Sequence, residues 1–389
     1  MARRWEGGHG APVLCVGAAG AADGLLASGA EGGEVTVWTQ EGVPLAQLRL
    51  SGQEDVTSTV FSSVAPGLLY AAHGETISVL DPRNLQGALE ELQNVGEDEI
   101  NSLSVNETGT SLALGDDSGA VKVVDLQTSK VCRTLRKHTN ICSSVAFRPQ
   151  RPQSLVSAGL DMQVMLWNLQ KARPVWTYSL QEAVEEGDGP QQRAGQLFNP
   201  PLAHCVTVAS CGNVLACAAE DGSVHLIRIG SGSRLEQQGS VKAHSQGVSQ
   251  AHFLNSLPHP YWLTTGGNDG VVALWDLSED PLVAGEGKAQ GQKVKATAHR
   301  RKLKSKAKAK PLSQGEAKDE AEKRSEEDLA EEASSADPYS GKCTKTGPKH
   351  KFIHEDKVNW VCPALLKGQP SLLVADQSSS ISVYSLAGL

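Results

Sequence analysis

Two groups of side chains in this sequence repeat the residue types of a serine-hydrolase catalytic triad, and each group is followed by a tryptophan. They are His138, Ser157, Asp161 and Trp167, and His244, Thr265, Asp269 and Trp275. In a triad the histidine takes the hydroxyl proton while the carboxylate orients the imidazole. In both groups the hydroxyl residue lies ten positions and the aspartate six positions before the tryptophan. One active site would not occur twice at matched offsets, so we interpret both groups as structural.

The elements that carry these groups belong to a phrase that occurs seven times. Each copy is a polar, mostly glycine-containing turn, followed by alternating apolar residues and a large terminal side chain. The copies are 30–38, 72–81, 117–125, 160–168, 220–227, 268–276 and 376–384. The turn reverses the chain, and the alternation is typical of a half-buried strand.

The spacing of the copies predicts the fold. The terminal side chains Trp38, Leu80, Val124 and Trp167 are 42, 44 and 43 residues apart, which matches the roughly 40–45 residues of a four-stranded propeller blade. The later steps include one of 60 and one of 109 residues, so we expect two insertions there. The sequence therefore predicts an all-β, seven-bladed propeller over 1–389 as a single domain.

At these residues the chain resembles the WD-repeat family. The Trp-Asp dipeptide stands at Trp275-Asp276, and Trp167-Asn168 and Leu80-Asp81 are near variants. The resemblance implies that each His, Ser or Thr, Asp and Trp set is a buried hydrogen-bond chain that stiffens its blade. Blade one has Gly32 at the aspartate position, and blades two, three, five and seven lack the tryptophan. We expect those four blades to rely mostly on apolar packing.

The resemblance also implies how the ring closes. In WD propellers an N-terminal strand completes the last blade, so that no sheet edge is left open. We expect residues 2–6 to supply this outer strand to the blade built from roughly 354–386.

One segment resembles a binding motif of the family. Leu80-Asp81-Pro82-Arg83 is similar to the Trp-Asp-x-Arg box of propellers that recruit the adaptor of cullin-4 ubiquitin ligases, with leucine in place of tryptophan. Arg83 is the only arginine at that offset among the seven repeats. The resemblance implies that Asp81 and Arg83 contact the adaptor. The alternative is that both residues cap an exposed turn.

Two insertions stand out by composition. Residues 182–196 are acidic, and we predict a mobile loop there. Residues 279–348 are basic first, mainly over 293–310, and acidic afterwards, with too few apolar residues to form a core, so we predict disorder. The basic part is open to three interpretations: a nuclear-import signal, a nucleic-acid patch, or a solvated segment neutralised by its acidic neighbour.

Composition narrows the function classes. The net charge of −8 makes nucleic acid an improbable general partner. No apolar run approaches the ~20 residues that span a bilayer, so we expect no membrane contact. The spacing of the eight cysteines matches no zinc motif and suits reduced thiols in an intracellular protein of the nucleus or cytoplasm. No enzyme, metal or cofactor motif is present in the sequence.

These observations favour a non-catalytic protein-interaction scaffold that is monomeric on its own. The motif at Arg83 favours a substrate receptor that binds the cullin-4 adaptor together with an unknown substrate. Two alternatives stay open: a scaffold without a ubiquitin role, and a nuclear reader of histone tails or nucleic acid. Fold alone does not select among them.

Overall fold

Seven four-stranded antiparallel sheets form the framework of the described structure. A computed structural model describes residues 2–20, 24–62, 64, 67–171, 173–181, 199–255, 257, 261–284 and 347–388. We call the sheets blades one to seven and their strands a to d, from the centre outwards. Strand a of each blade lies beside strand a of the next, and the last lies beside the first, so the blades form a closed ring. The predicted seven-bladed propeller is confirmed.

The strands, from a to d in each blade, have the following bounds. Blade one contains Val13–Ala18, Leu26–Ala30, Glu34–Trp38 and Pro44–Arg49; blade two, Val56–Phe61, Leu69–His73, Thr76–Leu80 and Ala88–Leu92; blade three, Ile100–Val105, Ser111–Asp116, Ala120–Asp125 and Lys130–Arg136; blade four, Cys142–Arg148, Arg151–Gly159, Gln163–Asn168 and Pro174–Ser179. Blade five contains Ala203–Val208, Val214–Ala219, Ser223–Ile229 and Leu235–Lys242; blade six, Val248–Phe253, Trp262–Gly267, Val271–Asp276 and His350–Ile353; blade seven, Trp360–Leu366, Gln369–Ala375, Ile381–Ser385 and Arg3–Trp5.

How deeply each strand of a blade is buried depends on its position between the centre and the rim of the ring. Strands b and c are covered on both faces by the neighbouring blades, so Leu69–His73 is buried at every position. Strand d lies at the rim, and Pro44–Arg49 alternates between half-buried and exposed side chains. This difference explains why the b and c strands read as continuous small or apolar runs, whereas the d strands carry many polar residues.

Each joint between neighbouring blades holds a cluster of buried apolar side chains. The joint of blades seven and one is closed by Arg3–Trp5, whose three residues pair antiparallel with Ile381–Val383. The Trp5 ring lies 5.8 Å from the Trp38 ring and is 4% exposed. It also lies against Gly42, where a Cβ atom would come within 2.2 Å of the indole. The N-terminal strand is therefore held by a buried indole as well as by backbone pairing.

A second set of contacts links the inner strands. In five blades a side chain at the start of strand a donates a hydrogen bond to a backbone carbonyl at the start of strand a of the next blade. In blade seven the donor and the acceptor lie one and two residues before the strand. The five donors are Thr57, Asn101, Ser143, Ser249 and Asn359, and the acceptors are the carbonyl oxygens of Ile100, Cys142, Ala203, Val358 and Val13. Blades one and five have Leu14 and His204 at this place. There the thiols of Cys15 and Cys205 contact carbonyls of the next blade, at 3.3 and 3.4 Å.

The two predicted insertions fall mainly outside the described residues. The acidic loop 182–196 lies entirely outside them, and so does 285–346 of the segment predicted over 279–348. The start of the second segment differs from the prediction. Pro281–Ala284 forms one helical turn, and Leu282 and Val283 are buried in the cluster between blades five and six. Arg228 of blade five donates to the Val283 carbonyl oxygen at 2.7 Å. Two apolar residues in a polar stretch gave too weak a sequence signal for this turn.

Candidate protein-interaction surface

The four predicted side chains of blade four form one hydrogen-bond chain. The Trp167 indole N–H donates to Ser157 Oγ at 2.8 Å, and Ser157 Oγ lies 2.7 Å from His138 Nε2. His138 Nδ1 is 2.9 Å from Asp161 Oδ1, and the same carboxylate accepts from the Thr139 backbone N–H at 3.0 Å. A neutral imidazole satisfies every group, because Nδ1–H donates to Asp161 and Nε2 accepts from the hydroxyl. The chain ties the loop between blades three and four to strand c.

Blade six repeats this arrangement. Trp275 Nε1 donates to Thr265 Oγ1 at 3.1 Å, His244 Nε2 lies 2.8 Å from that hydroxyl, and His244 Nδ1 is 2.9 Å from Asp269 Oδ1. Burial lowers the pKa of His244, which favours the neutral imidazole. Burial alone raises the pKa of Asp269, but hydrogen bonds from Ser245 and His244 outweigh it, so the carboxylate pKa lies below its usual value.

The buried hydroxyls of the two chains are not placed for catalysis. Ser157 and Thr265 are 0% exposed, and each is held between a tryptophan and a histidine. A nucleophile must meet its substrate within hydrogen-bond reach, and these oxygens have no access to solvent. Both groups therefore act as internal supports of their blades.

Three further blades carry polar chains that the sequence did not predict. In blade one, Ser28 lies 2.5 Å from His9 Nε2 and accepts from the Trp38 indole at 2.7 Å, and Glu34 lies 3.5 Å from His9 Nδ1. Ser28 stands ten residues before Trp38, as Ser157 does before Trp167, so the signal was present in the spacing. The glutamate on strand c was not recognised as a replacement for the missing aspartate.

Blades two and seven use different partners. His73 Nε2 lies 2.9 Å from Ser78 Oγ in blade two, and in blade seven His354 Nε2 lies 2.7 Å from the Tyr384 hydroxyl. Asp376 Oδ2 lies 3.6 Å from His354 Nδ1. The prediction that blades two and seven rely mostly on apolar packing was therefore incomplete. In blade seven Tyr384 replaces the tryptophan, and in blade two His73 of strand b replaces the histidine of the loop.

The motif at Arg83 lies in the loop between strands c and d of blade two. The Arg83 backbone N–H donates to Asp81 Oδ1 at 2.9 Å, and the Arg83 side chain is exposed. An Asp or Asn side chain makes the same turn in three other blades, between Asp125 and Gln127, Asn168 and Gln170, and Asp276 and Ser278. The hydroxyls of Thr39 and Ser385 make the equivalent turn in blades one and seven. Asp81 thus has a structural task shared with other blades. The exposed guanidinium is what distinguishes blade two.

Within the described residues, no three His, Cys, Asp or Glu side chains come together as a metal site. Burial raises the pKa of Cys15 and Cys362 to about 12 and that of Cys205 to about 11. These three thiols are therefore protonated at neutral pH. No helix in the described part of the chain is long and apolar enough to cross a membrane.

Comparison with known proteins agrees with the architecture. The family model described as WD domain, G-beta repeat matches residues 129–168 and 235–276. The chain is 26% identical over 289 residues to the WD repeat-containing protein 53 homolog of Dictyostelium discoideum, covering 70% of this chain and 77% of that protein. The strings at 27–33, 73–81 and 147–154 resemble that protein's family as well.

Two more distant relatives are a WD repeat-containing protein and a nuclear distribution protein. WD repeat-containing protein 55 of Pongo abelii is 25% identical over 69% of this chain and 64% of its own length. Nuclear distribution protein PAC1 of Komagataella phaffii is 21% identical over 64% of this chain and 54% of its own length. The chain therefore contains WD40 repeats in blades four and six and folds as a seven-bladed β-propeller.

Proposed function

We propose that this propeller is a substrate receptor that binds the adaptor of cullin-4 ubiquitin ligases through Arg83. A WD-repeat propeller is a scaffold for protein interaction, and the finer role starts from one observation. The Arg83 side chain is exposed on a turn that an Asp or Asn side chain makes in four blades, and the three others of these turns carry Gln127, Gln170 and Ser278 at its place.

The turn suits the guanidinium for recognition. The Asp81 carboxylate holds the backbone of Arg83 in a fixed turn, which reduces the entropy lost when a partner binds. A planar guanidinium with five donors can bind two oxygens of a carboxylate or of backbone carbonyls together. The site therefore offers one cationic side chain on a fixed turn at the end of blade two.

Leucine replaces the motif's tryptophan at a buried position, away from the exposed turn. Leu80 is 0% exposed and belongs to the apolar cluster between blades one and two. Its side chain faces the interior, so the exchange changes the packing of the blade and leaves the exposed turn as it is. The part of the motif that a partner meets is the loop, and Asp81 and Arg83 both follow the family's pattern there.

The test compares variants of the full-length chain for recovery of the cullin-4 adaptor from cells at equal expression. We expect Arg83→Ala to cost roughly 2 kcal/mol or more at an interface centre, which is about a thirtyfold loss of affinity. Arg173→Ala controls for the loss of one positive charge and should retain the adaptor.

Equal recovery of the adaptor by Arg83→Ala and the unmutated chain would contradict the proposal, and so would its absence from the unmutated chain. The scaffold without a ubiquitin role would then be the better interpretation. The proposed role places the protein in the nucleus or cytoplasm, where the cysteines of the described residues, all unpaired, would stay reduced.

A further inference from the structure

Two arginines face each other in the hairpin between strands a and b of blade four. Arg148 is the last residue of strand a, Arg151 is the first residue of strand b, and the two are directly opposed in the antiparallel pairing. Like charges at directly opposed positions destabilise a strand pair. A bound anion would offset the repulsion between the two guanidinium groups.

Arg148 is buried without a carboxylate. It is 2% exposed, and four of its N–H groups donate to neutral oxygens of blades four and five. These acceptors are the Gly212 carbonyl oxygen at 2.8 Å, Asn213 Oδ1 at 3.2 Å, and Ser154 Oγ and Ser233 Oγ, each at 3.3 Å. Burial lowers its pKa to about 10, with a further contribution from the charge of Arg151. The guanidinium still carries its proton at neutral pH.

Arg151 lies above this buried charge and is partly exposed. Its Nη1 atom would lie 2.7 Å from a Cβ atom built on Gly212, so the guanidinium rests against the turn of blade five. Among the residues that the structure describes, carboxylates lie within 4 Å of Arg49, Arg136 and Arg228, and of neither Arg148 nor Arg151.

One acid does reach the hairpin. The Glu107 carboxylate of blade three accepts from the Gln150 backbone N–H at 2.8 Å, so it binds the turn between the two arginines rather than either guanidinium. Glu107 therefore offsets part of the charge of the pair, but neither guanidinium is bonded to a carboxylate among the described residues.

We propose that Arg148 and Arg151 form an oxyanion-binding site at the joint of blades four and five, which takes a carboxylate or phosphate group from an acidic segment of a partner protein. The anion contacts Arg151, and the buried Arg148 adds its charge from below. Guanidinium groups bind both kinds of oxyanion through parallel N–H bonds. The hairpin lies in a different blade from Arg83, so the site does not depend on the adaptor role.

The test uses three fluorescein-labelled ten-residue peptides that differ only at two central positions, which are glutamate, phosphoserine or glutamine. Binding to the full chain is measured by fluorescence anisotropy at low salt. We expect the glutamate or phosphoserine peptide to bind at least tenfold more tightly than the glutamine peptide. The tighter of the two identifies the partner group as carboxylate or phosphate.

Variants of the full chain test whether the charged peptide binds at Arg148 and Arg151. Arg151→Gln should weaken the charged peptide about tenfold, because it removes a charge-assisted contact. Arg151→Lys should retain most of the affinity, and Arg3→Gln at the exposed outer strand of blade seven should retain all of it. Equal binding of the three peptides by the unmutated chain, or an equal affinity of Arg151→Gln and the unmutated chain, would overturn the proposal. Arg151 makes no hydrogen bond in the network beneath it, so its replacement leaves the fold in place.

Discussion

Burial of one histidine, His225, keeps an ionisable side chain of this propeller uncharged. His225 lies in strand c of blade five, is 1% exposed and has no hydrogen-bond partner on either ring nitrogen within the described residues. The ring centroid of Tyr178 lies 6.4 Å from that of His225, with the two rings edge to face. Burial lowers the pKa of His225 from 6.5 to about 4. The folded protein therefore keeps this imidazole neutral at a pH where the unfolded chain protonates it.

The stability of the fold should depend on pH through this residue. Above pH 6.5 both states hold a neutral His225, so its contribution is fully present. As the pH falls from 6.5 towards 4, only the unfolded chain binds the proton, and up to about 3 kcal/mol is lost. We predict that His225→Leu reduces the loss of unfolding free energy between pH 7.5 and pH 5, measured in urea. The exposed His350→Leu variant should lose as much as the unmutated chain, and an identical loss in His225→Leu would contradict the assignment.

At the scale of the element, the N-terminal strand has the shortest pairing and the largest anchor. Arg3–Trp5 pairs through three residues only, yet Trp5 is buried against Trp38. Backbone pairing of this length is weak by itself. We therefore expect the buried indole to contribute more to the attachment of the strand than the backbone pairing does.

We predict that Trp5→Ala destabilises the propeller by about 3–5 kcal/mol, the usual cost of deleting a buried aromatic side chain. Deletion of residues 1–7 should cost several kcal/mol as well, because it also exposes the edge of Ile381–Ser385. The measurement is thermal unfolding followed by circular dichroism. Arg4→Ala is the control, since that side chain is exposed. A melting temperature of the deletion variant within two degrees of the full chain would show that the ring does not need this strand.

At the scale of the whole molecule, the seven sheets and the clusters between them are formed entirely by described residues. We predict that a short Gly/Ser linker in place of 285–346 leaves the melting temperature nearly unchanged, since loop-closure entropy depends only weakly on length.

Extending the same replacement back to residue 279 should lower the melting temperature by several degrees. This longer replacement also removes Leu282 and Val283, which are buried against blade five. Equal melting temperatures of the two replacements would mean that the helical turn Pro281–Ala284 adds nothing to stability.

The sequence predicted the seven-bladed ring but not all of the hydrogen-bond chains that support the blades. Strand position was predictable because the turn-and-alternation phrase recurs, and the chains around Trp167 and Trp275 follow from matched offsets. The chain around His354 was missed because its partner is Tyr384, and no offset rule links a tyrosine to that histidine. The pairing of Arg148 with Ser233 joins residues 85 positions apart. Only tertiary structure brings such residues together, so no local pattern could predict it.

The two gaps in the inner set of hydrogen bonds divide the centre of the propeller. Side-chain bonds run without interruption from blade two to blade five, and again from blade six through blade seven to blade one. At the joint of blades one and two the Cys15 thiol contacts the Val56 carbonyl oxygen, and at the joint of blades five and six the Cys205 thiol is joined by a long hydrogen bond from the Phe253 N–H to Thr207 Oγ1 at 3.5 Å. Because thiols are weak donors and the Phe253 bond is long, we expect an outward load on the inner rim to separate the blades first at these two joints.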